Sequence, residues 1–220
     1  MAGHAKTAQK KLSDEMQCAA RKEEILTRAA HLFAERGYDN TDTTLLAETA
    51  GVGKGTVYRH FPSKRQLFLA AVDRVMRMLL EQVEGQIAGI ADPIDQIIQA
   101  VRSFLDFFGE KPEFVELLIQ ERALFRDRTQ PTFIEHRNRN IRRWQQVYRE
   151  LIAEDRVRNI PVDRITDILG HLLYGTIFMN YFSGSTKSVA EQTDDIIDVV
   201  FRGILTEAEM KRRSQRGNQS

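Results

Sequence analysis

Residues 41–67, TDTTLLAETAGVGKGTVYRHFPSKRQL, constrain the fold more than any other stretch of the chain. Leu46, Ala47 and Ala50 have the i, i+1, i+4 spacing of one buried helical face. Gly51 then stands where a helix must stop and reverse, because glycine enters the left-handed region without steric cost. Val52 plugs the turn, and Val57 and Phe61, four apart, give the next helix its apolar side. The face left over carries Lys54, Gly55, Thr56, Tyr58, Arg59 and His60, with no acid among them. A helix that shows only donors, cations and a glycine suits an electronegative groove. Pro62 closes it, and Ser63 is placed to N-cap a third helix from Lys64.

Two helices at this spacing also occur in helical proteins that bind no DNA, but the string GVGKGTVYRHFPSK is more specific. It resembles the DNA-binding motif of the TetR family of bacterial transcriptional repressors, as does the preceding helix end Phe33-Ala34-Glu35-Arg36-Gly37-Tyr38. The resemblance spans residues 21–71; beyond them it is one of architecture alone. It implies that Lys54, Gly55 and Arg59 face base edges while Thr44, Thr56, Tyr58, His60 and Lys64 hold phosphates. Gly55 would matter for lacking a side chain that could push the helix from the groove. Asp42 departs from the serine or threonine usual at this N-cap; it caps well but repels a phosphate, so the contact is expected from Thr44. Gly53 departs from the more usual serine and should loosen the start of the recognition helix.

Charge alone does not point to nucleic acid, since the net charge of the 220 residues is +1. Residues 1–65 hold 11 Lys/Arg and 8 Asp/Glu, and residues 66–220 hold 21 and 23, so the asymmetry is mild. The case rests on where the donors sit. A single cysteine, Cys18, excludes an intramolecular disulfide and a cysteine-cluster zinc site. No apolar run approaches the ~18–20 residues of a membrane span. The N-terminus has no apolar core after its lysines, so a cytoplasmic protein without a secretory signal is expected.

Enzyme chemistry leaves no trace. GVGKGT fails the P-loop spacing, with Glu48 where the first glycine belongs and Gly55 where Ser or Thr should follow. GxGxxG, GxSxG and HExxH are absent, and the histidines at 4, 31, 60, 136 and 171 lack ligand spacing. No catalytic residue, metal or cofactor is expected.

Taken in order, the chain reads as helices throughout. A basic arm with Lys6, Lys10 and Lys11 precedes a helix over 21–36, whose stripe is Ile25, Leu26, Ala29, Leu32 and Phe33 and whose end is Gly37. One long helix covers 63–89 without proline. Further helices are expected near 93–109, 112–126, 131–154, 161–182 and 188–208, each proline at a segment start where its missing N–H costs nothing. The segment 162–182 is apolar nearly all round. It fits either a helix buried in one domain or an interface with a second copy, the latter built on Ile165, Leu169, Leu172, Ile197, Phe201 and Ile204. Gly170 and Gly175 would permit close helix approach. Aromatic density on the middle helices fits a filled core or an apolar cavity lined by Val83, Phe104, Phe107, Phe114, Trp144, Tyr148 and Phe178. The arginines of ERALFRDR and HRNRNIRR, interleaved with acids, read as solvated or self-paired.

The fold expected is therefore all-α: an N-terminal three-helix helix-turn-helix domain and a C-terminal helical ligand-binding and dimerisation domain. The divisions are a flexible arm (1–20), a DNA-binding domain (21–66), a ligand-binding and dimerisation domain (67–208) and a polar tail (209–220). Expected partners are double-stranded operator DNA of inverted symmetry, a small, largely apolar effector that releases a repressor, and a second copy of the chain; no membrane is involved. The alternative is a DNA-binding regulator controlled by a protein partner.

Overall fold

Helix boundaries fall where local chemistry satisfies the free backbone groups of a helix end. Asp42 accepts from the Thr44 N–H, Ser63 from the Gln66 N–H at 3.1 Å, and Asp92 from the Ile94 N–H ahead of Pro93. Ser188 and Glu191 form a reciprocal capping box. The computed structural model describes the backbone of residues 2–217 and the side chains of residues 16–215. Among the described residues the helices are α1 (Ala2–Asn40), α2 (Thr43–Thr49), α3 (Lys54–His60), α4 (Lys64–Ile87), α5 (Pro93–Glu110), α6 (Glu113–Leu124), α7 (Thr132–Ala153), α8 (Val162–Ser183), α9 (Val189–Ile204) and α10 (Glu207–Gly217). Among the described residues the fold is all-α, with one isolated antiparallel bridge between Val157 and Leu205.

Two expectations are corrected at the ends. The segment expected as an arm continues α1 back to Ala2, with the break of that helix at Gly37 (φ 79°). The Lys6, Lys10 and Lys11 side chains lie outside the described residues. At the other end, the helix expected over 188–208 stops at Ile204, and the supposed tail forms α10. The Arg158 N–H takes the Ile204 carbonyl at 2.7 Å, Leu205 is extended, and the Thr206 hydroxyl accepts from the Glu209 N–H to start α10. Apolar periodicity runs through Leu205 and hides this break.

The chain divides into two compact units, residues 1–78 with 116–133, and residues 79–115 with 134–220. The helices α4, α6 and α7 each pass from one unit to the other.

In the first unit, Ile25, Leu26, Ala29 and Phe33 of α1 share a core with Leu46 and Ala47 of α2, Val57 of α3 and Leu67 and Phe68 of α4. Rings lock its edge: Phe33–Phe68 at 5.1 Å, Tyr38–Phe68 at 5.3 Å and Tyr38–Phe125 at 5.4 Å between centroids, all edge-on. Where Gly37 interrupts α1, the amide of Gln120 takes over: it accepts from the Tyr38 N–H at 3.0 Å and donates to the Phe33 carbonyl at 3.4 Å. Glu121 is buried, but its carboxylate accepts from the Thr132 N–H and hydroxyl and lies 3.4 Å from Arg128.

In the second unit, α5 lays Ile94, Ile97, Val101, Phe104, Leu105, Phe107 and Phe108 into the interior, met by Ile196, Val200, Phe201 and Ile204 of α9. Gly109 lets them approach, since a Cβ there would stand 2.9 Å from the Val189 side chain. An ion cluster ties α10 down: Arg156 bonds both oxygens of Asp92 at 2.9 Å and Glu209 at 3.0 Å, and Arg213 bonds Asp95 at 2.6 Å. Of the arginines read as solvated or self-paired, Arg128 lies 3.4 Å from the interleaved Glu121, while Arg137 and Arg143 pair with acids outside those segments, Asp167 and Glu84. Among the described residues no helix is long and apolar enough to cross a membrane.

Candidate nucleic-acid interface and effector region

The helix-turn-helix is built from its turn outward. The Gly51 N–H donates to the Glu48 carbonyl at 3.0 Å and the Val52 N–H to Ala47 at 2.9 Å, with Gly51 at φ 63°. Arg21 of α1 donates to the Gly51 carbonyl at 2.9 Å and fixes the turn from outside. Leu46, Ala47, Ala50, Val57 and Phe61 face inward. Lys54, Gly55, Tyr58 and Arg59 are exposed, and Thr44, Thr56, His60 and Lys64 half-buried. Gly53 offers no side-chain cap to α3, as its departure from serine implies.

Two side-chain bonds cross from α2 to α3 on this face. Lys54 Nζ donates to Thr44 Oγ1 at 3.0 Å, and the Thr43 and Tyr58 hydroxyls are hydrogen-bonded to each other at 3.0 Å. Donors held this way lose less freedom on meeting a ligand. Thr43 belongs to the face but was missed; its signal was the hydroxyl beside the Asp42 cap. The Thr44 N–H and hydroxyl hold the Asp42 carboxyl below its ordinary range, so it keeps its negative charge as a cap. Lys64 is engaged in an unforeseen way, donating to the Asp39 carbonyl at 3.1 Å and lying 4.7 Å over the Tyr38 ring. A phosphate would draw it from those partners. A Cβ on Gly55 would meet nothing within 4 Å, and no positive φ is recorded there, so nothing in the protein itself requires glycine at this position.

The residues expected around an effector all lie in the second unit. Phe107 and Phe114 stack at 6.0 Å between centroids, Phe107 and Phe108 meet edge-on at 5.1 Å, and Phe104 touches Phe108 at 5.3 Å and Tyr174 at 5.2 Å. Phe108 and Tyr174, part of the aromatic density of the middle helices, thus join the residues expected to line a cavity. Tyr148 is fully buried; Val83, Trp144 and Phe178 are half-buried. Burial pushes the Tyr174 phenol well above its usual range, and the Arg137 guanidinium partly opposes this. Gly170, expected to admit a helix, instead admits Arg137, whose Nε would stand 3.0 Å from a Cβ there.

The expected interface residues separate. Ile165, Phe201 and Ile204 are buried within the chain's own core, and Leu169 and Ile197 are half-buried. Leu172 stays exposed, on a stripe of α8 with Ile168, Met179 and Phe182, while Val199 of α9 is also exposed. The periodic pattern could not say which apolar residues the chain keeps for itself. Beside this stripe lies an open groove of about 460 Å³, lined by residues including His171, Gly175, Asn180 and Lys187. Among the described residues no group of three His, Cys, Asp or Glu could hold a metal ion.

Comparison with known proteins bears on the helix-turn-helix and on the fold. Residues 25–71 match the family profile of bacterial regulatory proteins, tetR family. The HTH-type transcriptional repressor KstR2 of Mycolicibacterium smegmatis is 26% identical over 196 residues, 86% of this chain and 92% of that protein. The HTH-type transcriptional repressor AcnR of Corynebacterium jeikeium is 42% identical over 103 residues, covering 47% of this chain and 52% of AcnR. Among solved structures, a transcriptional regulator from Saccharomonospora viridis in complex with choline superposes with a TM-score of 0.71 over 86% of this chain and all of that one, at 20% identity. That likeness concerns the fold.

Proposed function

We propose that this chain, a TetR-type regulator by the helix-turn-helix of residues 25–71, is a homodimeric repressor that a small, largely apolar molecule releases from an operator of inverted symmetry. The observation that carries the DNA-binding half is the acid-free face of α3, with Lys54 and Tyr58 oriented by Thr44 and Thr43. In this reading Lys54, Gly55 and Arg59 face base edges, and Thr44, Thr56, Tyr58, His60 and Lys64 take phosphates. Residues 21–66 serve DNA and residues 67–208 serve effector and dimer. The apolar stripe of Ile168, Leu172, Met179 and Phe182 supports pairing with a second copy, because isolated surfaces seldom leave such residues together.

The effector half rests on the ring cluster of Phe104, Phe107, Phe108 and Phe114. Continuity gives it a route. The helix α4 carries Leu67 and Phe68 of the reading head's core at one end and Val83 at the other. A ligand beside Val83 that tilts α4 would move two paired reading heads, whose spacing the DNA fixes. A differential affinity of about 1–3 kcal/mol is enough to relieve repression several-fold. Linkage makes this testable: operator DNA must weaken effector binding by the factor by which effector weakens DNA binding. Calorimetric titration of a verified effector, with and without saturating operator, should give different affinities; equal ones would remove the switch. The close ring packing favours one second reading, a filled core with control by a protein partner. Thermal stability that rises with no apolar compound would favour it.

A further inference from the structure

Tyr148 on α7 is 1% exposed, and its hydroxyl has no hydrogen-bond partner among the described residues. A buried hydroxyl left unpaired is destabilising, and phenylalanine would fill the same space without that cost. The hydroxyl therefore calls for a partner that the described residues do not supply. A lone water would suit poorly, since a buried water needs two to four polar partners and Tyr148 offers one atom. The chemistry of the partner can be narrowed further. Among the described residues burial alone holds the Tyr148 phenol above its usual range, with no charged group contributing. An ion brought to such a position would lack a counter-charge, so a neutral group fits. The same unit holds the rings of Phe104, Phe107, Phe108 and Phe114, and Trp144 lies one turn before Tyr148 on α7.

We infer that the effector is a neutral, mainly apolar molecule carrying a carbonyl or hydroxyl oxygen, which accepts a hydrogen bond from Tyr148 Oη. This deepens the small-molecule reading above and rests on it. It separates the effector from plain hydrocarbons and from organic ions.

The test compares acetophenone with ethylbenzene, which share a phenyl ring and a two-carbon chain and differ by one acceptor oxygen, on the full chain and on Tyr148→Phe. Affinities come from the concentration dependence of the thermal midpoint. The ratio of acetophenone to ethylbenzene affinity should fall about threefold to tenfold in the variant, the worth of one neutral hydrogen bond. The variant without probe should melt at or above the wild-type midpoint. An unchanged ratio, or a lower midpoint without probe, overturns the inference while leaving a small-molecule site in place. Failure of both compounds to bind the wild type at their solubility limits overturns the inference and the small-molecule reading together.

Discussion

Gly55→Ala separates what the fold needs from what DNA needs. Gly55 is the second residue of α3, and a Cβ there meets no atom within 4 Å. It lies outside the positive-φ region, so alanine adds no backbone strain. Replacing a helical glycine by alanine then removes unfolded-state entropy and stabilises by roughly 0.5–1 kcal/mol. For a chain of 220 residues that is a midpoint rise of about 1–4 °C. On DNA the sign should reverse. If α3 lies in the major groove with its backbone close to base edges, an added methyl holds it away and loosens the neighbouring Lys54 and Arg59 contacts. A loss of about 1–3 kcal/mol in specific affinity follows, the scale of one good base contact. Scanning fluorimetry and fluorescence anisotropy on the same preparation read both quantities. A lowered midpoint would show that glycine serves the fold, and affinity unchanged within twofold would show that Gly55 does not approach DNA.

Three further outcomes follow from other parts of the molecule. Lys64→Ala should weaken binding to all sequences alike and reduce the log–log salt slope by about one unit, whereas Lys54→Ala should cost roughly 1–3 kcal/mol and blur one base position, as binding to randomised sites would read. Leu172→Glu should yield a folded monomer in sedimentation, while Phe201→Glu, buried in the chain's own core, should fail to fold; a folded Phe201→Glu would contradict the burial argument. Burial pushes the Glu209 carboxyl up, but hydrogen bonds and charge from Arg156, with Arg212 and Arg213, outweigh this and hold it low. Its stabilisation is thus present above the ordinary glutamate range near pH 4.5 and lost as pH falls through the lowered value. Glu209→Gln should cost about 3 kcal/mol at neutral pH and flatten the midpoint's decline below pH 4.5.

What was legible in the sequence was mostly local. Asp42, Ser63 and Pro93 announce helix starts because capping involves neighbours in the chain. Gly51 announces the turn for the same reason. What escaped was tertiary. Nothing near Gln120 in sequence tells that its amide caps the break in α1, 82 residues away. The end of α9 is set by the Arg158 N–H on the Ile204 carbonyl, a pairing invisible to periodicity. Periodicity likewise predicts that Ile165, Leu172 and Phe201 are wanted inside something, but not which of them the chain buries alone. For Lys64, a donor placed at the motif's end could be counted, yet its bond to the Asp39 carbonyl depends on how α1 returns beside α4.

In the proposed complex the α2–α3 face reads one DNA sequence twice in a symmetric operator. Selection of bound fragments from a randomised duplex pool by the full chain tests it most directly. The expected result is enrichment of an inverted repeat whose half-sites face the same side of the duplex, lost when Lys54→Ala or Gly55→Ala replaces the wild type. Enrichment of no sequence, or of one that both variants select equally well, would contradict it.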